Sequence, residues 1–271
     1  MNSKFMKISK FASYYERMIL SFYISNNLQN NWLDALYFFF HCVFFGGRRD
    51  NLSKVYKEHA FEIIKKFTIQ GKKLDNDIIE EIDNKLNEKT SSDYKFPDKD
   101  KKMVNEILTK LQEIPNYNIV NYTLQYLRKW NPEDINIINE EIEKIHGIGR
   151  KKTTLFFRDL ADINHLEEQE PEGFDKYQKE QIYKYFQPID VWVSRVASHL
   201  GINNNLKADD KALHIVRKCF ELREKVSPIK FNQGAWIMGW ICGQVVSIEN
   251  AINNLDQMER IMELYLEVRK S

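Results

Sequence analysis

Apolar positions along this chain recur at spacings of three and four far more often than they alternate, the period of helices laid against a core rather than of half-buried strands. Phe11, Tyr14, Tyr15, Met18, Ile19, Phe22 and Tyr23 share one helical face, so residues 11–28 predict a docking helix, ended by the Asn-rich run 26–31. Residues 32–45 are apolar almost all round, as in a helix enclosed by a core, and Gly46-Gly47 stops it. Arg48-Arg49, just after, could meet phosphate or cap helix carbonyls. Residues 52–70 and 74–89 read as amphipathic helices parted by Gly71-Lys72-Lys73, and 91–102 as a solvated, charged linker containing Pro97. Helices follow at 104–114 and 120–130, then Asn131-Pro132 punctuates the chain before a turn at 145–149. The helix after that turn presents Leu155, Phe156, Leu160 and Ala161 inward. Helical patterns at 177–186, 191–200 and through Trp236 and Gly239 complete an expected all-α fold.

Composition narrows the reading. A chain of 271 residues, 43% hydrophobic, is long enough for a substantial core in one large domain or two lobes. Its 40 Lys and Arg nearly cancel 39 Asp and Glu, so a nucleic-acid surface can arise only by local segregation of charge. Residues 162–187 are the opposite of such a surface, with seven acids against three lysines. Cys42, Cys219 and Cys242 are far apart and form no CxxC pair, and the six histidines form no HxxxH set, so no metal site is legible. Reduced thiols suit the cytoplasm. Lys4, Lys7, Lys10, Glu16 and Arg17 interrupt any export signal, and the apolar run 32–45 holds Asp34 and His41 and falls short of the roughly 20 residues that span a bilayer. No membrane partner is expected.

Two stretches carry candidate chemistry. In Ile145-His146-Gly147-Ile148-Gly149-Arg150-Lys151-Lys152, two glycines allow a tight reversal between helices and a close approach of bare backbone to a phosphate, and three cations open the next helix. In Gln187-Pro188-Ile189-Asp190-Val191-Trp192-Val193-Ser194-Arg195, one carboxylate stands at a helix start. Each has a plainer alternative: Lys151 as a phosphate contact, and Asp190 as a helix cap accepting first-turn amides.

The pair in this order resembles the helix-hairpin-helix DNA glycosylase superfamily, whose pattern is a Gly-x-Gly hairpin with an aspartate further along. Lysine-bearing members place the lysine two positions after the second hairpin glycine, where Lys151 stands, and Asp190 with Arg195 fits the aspartate segment. The likeness spans about residues 141–200, with a weaker echo at 232–242. It implies a two-lobed helical fold: 31–165 as the lobe carrying the hairpin at about 140–161, 166–187 as an acidic insertion, and 1–30 with 188–271 as the second lobe. The gap from Lys151 to Asp190 is longer than is usual in the family.

The resemblance also implies a function, base excision with abasic-site lyase activity. Lys151 would form a Schiff base with C1′ of the sugar, Asp190 would assist, and His146, Gly147, Gly149, Arg150 and Lys152 would hold the DNA backbone, with Lys152 the reserve nucleophile. Phe231, Asn232, Gln233 and Trp236 are candidates for a pocket around an extruded base, although Ile237, Met238 and Trp240 beside them favour core packing. The partner expected is double-stranded DNA holding a damaged base or abasic site, engaged by a monomer in the cytoplasm or, in a prokaryote, at the nucleoid. The family's iron–sulfur cluster needs four cysteines, so no cofactor is expected. Cluster-free, lysine-bearing members point to 8-oxoguanine. An oxidised-pyrimidine enzyme, a monofunctional glycosylase using Asp190 alone, and a non-catalytic DNA-binding module stay open.

Overall fold

A computed structural model describes the backbone of all residues except 1, 25, 45–49, 70, 89–93, 223–225 and 271, and the side chains of all these described residues except 2, 50, 244, 269 and 270. Gly46-Gly47 and Arg48-Arg49 therefore lie outside the described residues. The described secondary structure is helical throughout, without a strand. Two compact units divide it: one is residues 26–156, the other residues 1–25 with 157–271. The boundary falls inside helix Arg150–Ile163, and 166–187 groups with the second unit rather than standing apart as an insertion.

The unit 26–156 is organised by helix Trp32–Phe44, whose Phe38, Phe39, Phe40 and Phe44 are all fully buried. Phe156 meets Phe38 and Phe39 at ring-centroid distances of 5.7 and 4.8 Å, joining the hairpin's second helix to that core. Each such ring is worth on the order of 1.5–3 kcal/mol when removed from water. Residues 91–93 lie outside the described residues, and residues 94–102 depart from the solvated linker expected over 91–102. Phe96 is buried against Phe44 and Tyr56, and helix Asp98–Glu113 already begins inside the run, with Asp100 buried in its first turn. One aromatic anchor outweighs the polar character around it. Asn118 caps helix Ile119–Leu127 and also donates to the Leu28 carbonyl at 2.9 Å, and Asn131 caps helix Pro132–Glu143.

The second unit is built around helix Pro228–Val245, which packs on helices Asn2–Lys10, Val191–His199, Ile248–Asn253 and Leu255–Lys270. Its glycines set how closely those neighbours approach. A Cβ on Gly234 would lie 1.9 Å from the Ile8 carbonyl oxygen, and one on Gly239 or Gly243 would lie 2.7 Å from Trp192. Phe231, one turn earlier, stacks on Phe5 at 4.5 Å. The expected docking helix 11–28 is instead Ala12–Tyr15, a π-helical turn Glu16–Leu20 and Ser21–Ile24. The widened turn rotates the chain across and beyond it, so Leu20 within the turn and Tyr23 after it are buried while Phe22 is 56% exposed.

Candidate functional site

The hairpin forms as its glycines predict, with one difference. Gly147 takes φ +75°, a conformation that a side chain would strain, and Ile148 closes the turn by donating its amide to the Ile145 carbonyl. Gly149 does not use the left-handed region, and a Cβ there would meet nothing within 4 Å, so neither the reversal nor the packing requires a glycine at this position. The amides of Lys152 and Thr153 donate to the Gly149 carbonyl, which starts helix Arg150–Ile163. The His146 amide donates to a Glu106 carboxylate oxygen at 2.6 Å, fixing the turn to helix Asp98–Glu113.

The three cations of the hairpin have different surroundings. Arg150 donates to Asn139 Oδ1 at 2.8 Å, back onto the first hairpin helix. Lys152 is half-buried and folds over the turn, its Nζ donating to the Gly147 carbonyl at 2.7 Å. Lys151 is exposed. Its neighbours in sequence thus anchor the turn while its own side chain extends to solvent, and Thr153 and Thr154 are buried with their hydroxyls on helix carbonyls.

Asp190 belongs to the other unit. It is the N-cap of helix Val191–His199, accepting the Val193 amide at 2.9 Å, and it is half-buried. The guanidinium of Arg195 lies over the Trp192 ring at 5.4 Å. The backbone just before Asp190 is held from below by Asn232, whose Nδ2 donates to the Pro188 carbonyl at 3.3 Å and to Gln187 Oε1 at 3.2 Å.

Asn232 in turn accepts from Arg158 Nη1 at 2.8 Å, and this leads to residues that sequence reasoning missed. Arg158 and Asp159 are fully buried and paired, with Arg158 Nε and Nη2 each 2.8 Å from Asp159 Oδ1. Tyr15 closes the group: its hydroxyl donates to Asp159 Oδ2 at 2.6 Å and accepts from Arg158 Nη2, and the guanidinium lies 4.6 Å from its ring centre. Burial pushes the Asp159 carboxyl up, opposed by the Arg158 charge and by the hydrogen bonds it receives from Arg158 and Tyr15. A signal existed. Arg158-Asp159 interrupts a helix face otherwise made of Leu155, Phe156, Phe157, Leu160 and Ala161, where a solvated pair has no place.

The four residues considered for a base pocket are used for the interior of their own unit. Phe231 is in the Phe5 stack, Asn232 has its oxygen on Arg158 and its amide on the Gln187-Pro188 segment, and Gln233 donates to Asp162 at 2.8 Å. Trp236 is half-buried, edge-on to Tyr15 and stacked on Trp240 at 5.5 Å. The assignment of Phe231, Asn232 and Gln233 to an open pocket gives way to core packing and internal hydrogen bonding, as Ile237 and Met238 beside them foreshadow.

Among the described residues no three His, Cys, Asp or Glu side chains are grouped to hold a metal, and no helix is long and apolar enough to cross a membrane. Cys42, Cys219 and Cys242 are buried and form no disulfide, and burial raises the Cys242 thiol to about 12. Comparison with known protein families, curated proteins and solved structures finds no match to this chain.

Proposed function

We propose that this protein is a DNA glycosylase with abasic-site lyase activity, the hairpin at 145–152 gripping the DNA backbone and Lys151 supplying the nucleophile. The observation that carries the reading is the division of labour at the hairpin: Lys152 is spent on the Gly147 carbonyl and Arg150 on Asn139, while Lys151 is exposed in the first helical turn. The nitrogen lone pair of the Lys151 side chain forms the bond to C1′. The base leaves with the electrons of its glycosidic bond and takes up a proton, and loss of the amine proton with opening of the sugar ring yields the Schiff base. Asp190, at the start of its helix, assists by stabilising positive charge that develops on the sugar. Arg158 and Asn232 are positioning residues, since they fix the Gln187-Pro188 segment that delivers Asp190.

The substrate proposed is double-stranded DNA holding 8-oxoguanine, engaged by a monomer in the cytoplasm; the resemblance to cluster-free, lysine-bearing glycosylases supports it. A second reading, a non-catalytic DNA-binding module, is favoured by one observation: Phe231, Asn232 and Gln233 are closed into the core and leave the base pocket without assigned walls. Single-turnover assays on duplexes carrying 8-oxoguanine, thymine glycol, uracil or an alkylated purine separate the readings. Fastest release of 8-oxoguanine is the expected result, release of thymine glycol first moves the enzyme to oxidised pyrimidines, and binding without release of any base leaves only the module.

A further inference from the structure

The acidic segment after the hairpin helix builds a cavity of its own, wholly within the second unit. The 3-10 turn Leu166–Gln169, helices Lys176–Tyr183 and Ala208–Glu221, and the start of helix Pro228–Val245 enclose about 520 Å³. Its walls are aromatic: Phe174, Tyr183 and Phe220 line it, the last two meeting edge to face at 5.4 Å. Two carboxylates and two lysines also reach it, and their pairing is uneven. Lys179 is bound to Glu170, which also accepts the Tyr183 hydroxyl at 2.9 Å, and Lys176 lies 3.9 Å from both Glu180 and Glu221. Glu167 has the Ser227 hydroxyl at 2.6 Å, and among the described residues no lysine or arginine lies within ion-pair reach of it. Lys230, whose charge is felt there, is itself held by Asp162 and Glu16.

A carboxylate with no cation in ion-pair reach among the described residues, in a cavity with aromatic walls, is complementary to one kind of guest. We infer that this cavity binds an organic cation with a flat apolar body, its charge meeting Glu167 and its body lying against Phe174, Tyr183 and Phe220. An anion would face two carboxylates, with Lys179 already paired to one of them and Lys176 lying between Glu180 and Glu221, and a neutral apolar guest would gain nothing from an ionised Glu167. The inference is independent of the hairpin reading, for it uses none of the residues assigned to DNA.

Acid–base behaviour supplies a second handle. Burial raises the Glu167 carboxyl to about 7, with Asp162 pushing the same way and the Ser227 hydrogen bond, Lys230 and Tyr183 opposing; the Cys219 thiol also feels it. A cation binds the ionised form, so binding tightens as pH rises through neutrality and levels off once Glu167 is ionised.

Benzamidine and its neutral analogue benzamide, titrated calorimetrically into the full chain, test this. Benzamidine should bind about tenfold or more tighter than benzamide at pH 8, and should itself weaken about tenfold at pH 6. Glu167→Gln should remove both differences while leaving benzamide unchanged, and Phe220→Ala should weaken both compounds. Thermal melts of each variant establish that it is folded. Equal affinity for the two compounds, unchanged benzamidine binding by Glu167→Gln, or no binding of benzamidine to the folded protein up to about 10 mM would overturn the inference.

Discussion

The two ends of helix Arg150–Ile163 spend their charges in opposite ways. At its start Lys151 is in solvent and its conformation is set by a backbone turn; two turns later Arg158 and Asp159 are fully buried, hydrogen-bonded to each other and to Tyr15 and Asn232. An exposed cation costs the fold almost nothing and is available to a ligand. A buried pair is stable only while its partners remain, because removing one leaves an uncompensated charge in a poor solvent. Removing the charge of Lys151 should therefore leave stability intact, whereas removing one charge of the buried pair should not.

The largest expected effect is at the buried end. Arg158→Met strands Asp159 and frees the Asn232 oxygen, and should lower unfolding free energy by about 3–5 kcal/mol in chemical denaturation. The double change Arg158→Met with Asp159→Leu should recover much of that loss, since no charge is left unpaired. A loss under about 1 kcal/mol for the single change would mean water reaches the pair. Next comes Gly234→Ala, which forces a methyl into the Ile8 carbonyl and should cost about 1–3 kcal/mol or more, because backbone has to move. A neutral result would show that helix Asn2–Lys10 is held loosely.

Smaller effects are expected at the proposed site. Asp190→Ala removes the cap on Val193 and should cost about 1 kcal/mol, while Asp190→Asn, which can still accept that bond, should cost less yet suppress base excision. Full single-turnover excision by the Asn variant would reduce Asp190 to its cap. The smallest effect on stability belongs to Lys151→Gln, within about 0.5 kcal/mol of wild type by denaturation, together with retained DNA binding. A loss several times larger would place that side chain in the fold and end the contrast between the two ends of the helix.

How much was legible obeys the same division. Helix periodicity and local chemistry foresaw the all-helical class, the Gly147 turn and the Asp190 cap, because those depend on residues within a few positions of one another. The charged run 91–102 misled, since one buried ring, Phe96, decides its place and only tertiary packing reveals that. The π turn at Glu16–Leu20 broke a correct period with no local marker, and Phe22 came out exposed. Arg158 and Asp159 were readable as a charged pair in an apolar stripe. Their partners Tyr15 and Asn232, at separations of 143 and 74 positions from Arg158, were not. The cavity beside Glu167 draws on segments as far apart as Glu167 and Pro228 and left no trace in any single one.

Borohydride trapping on a duplex with a single abasic site tests the central claim most directly, because only an imine between protein and sugar is reduced to a permanent link. Wild type and Lys152→Gln should both yield the covalent adduct, and Lys151→Gln should yield none while still binding the duplex. Undiminished trapping by Lys151→Gln, or no adduct from the folded, DNA-bound wild type, contradicts the account.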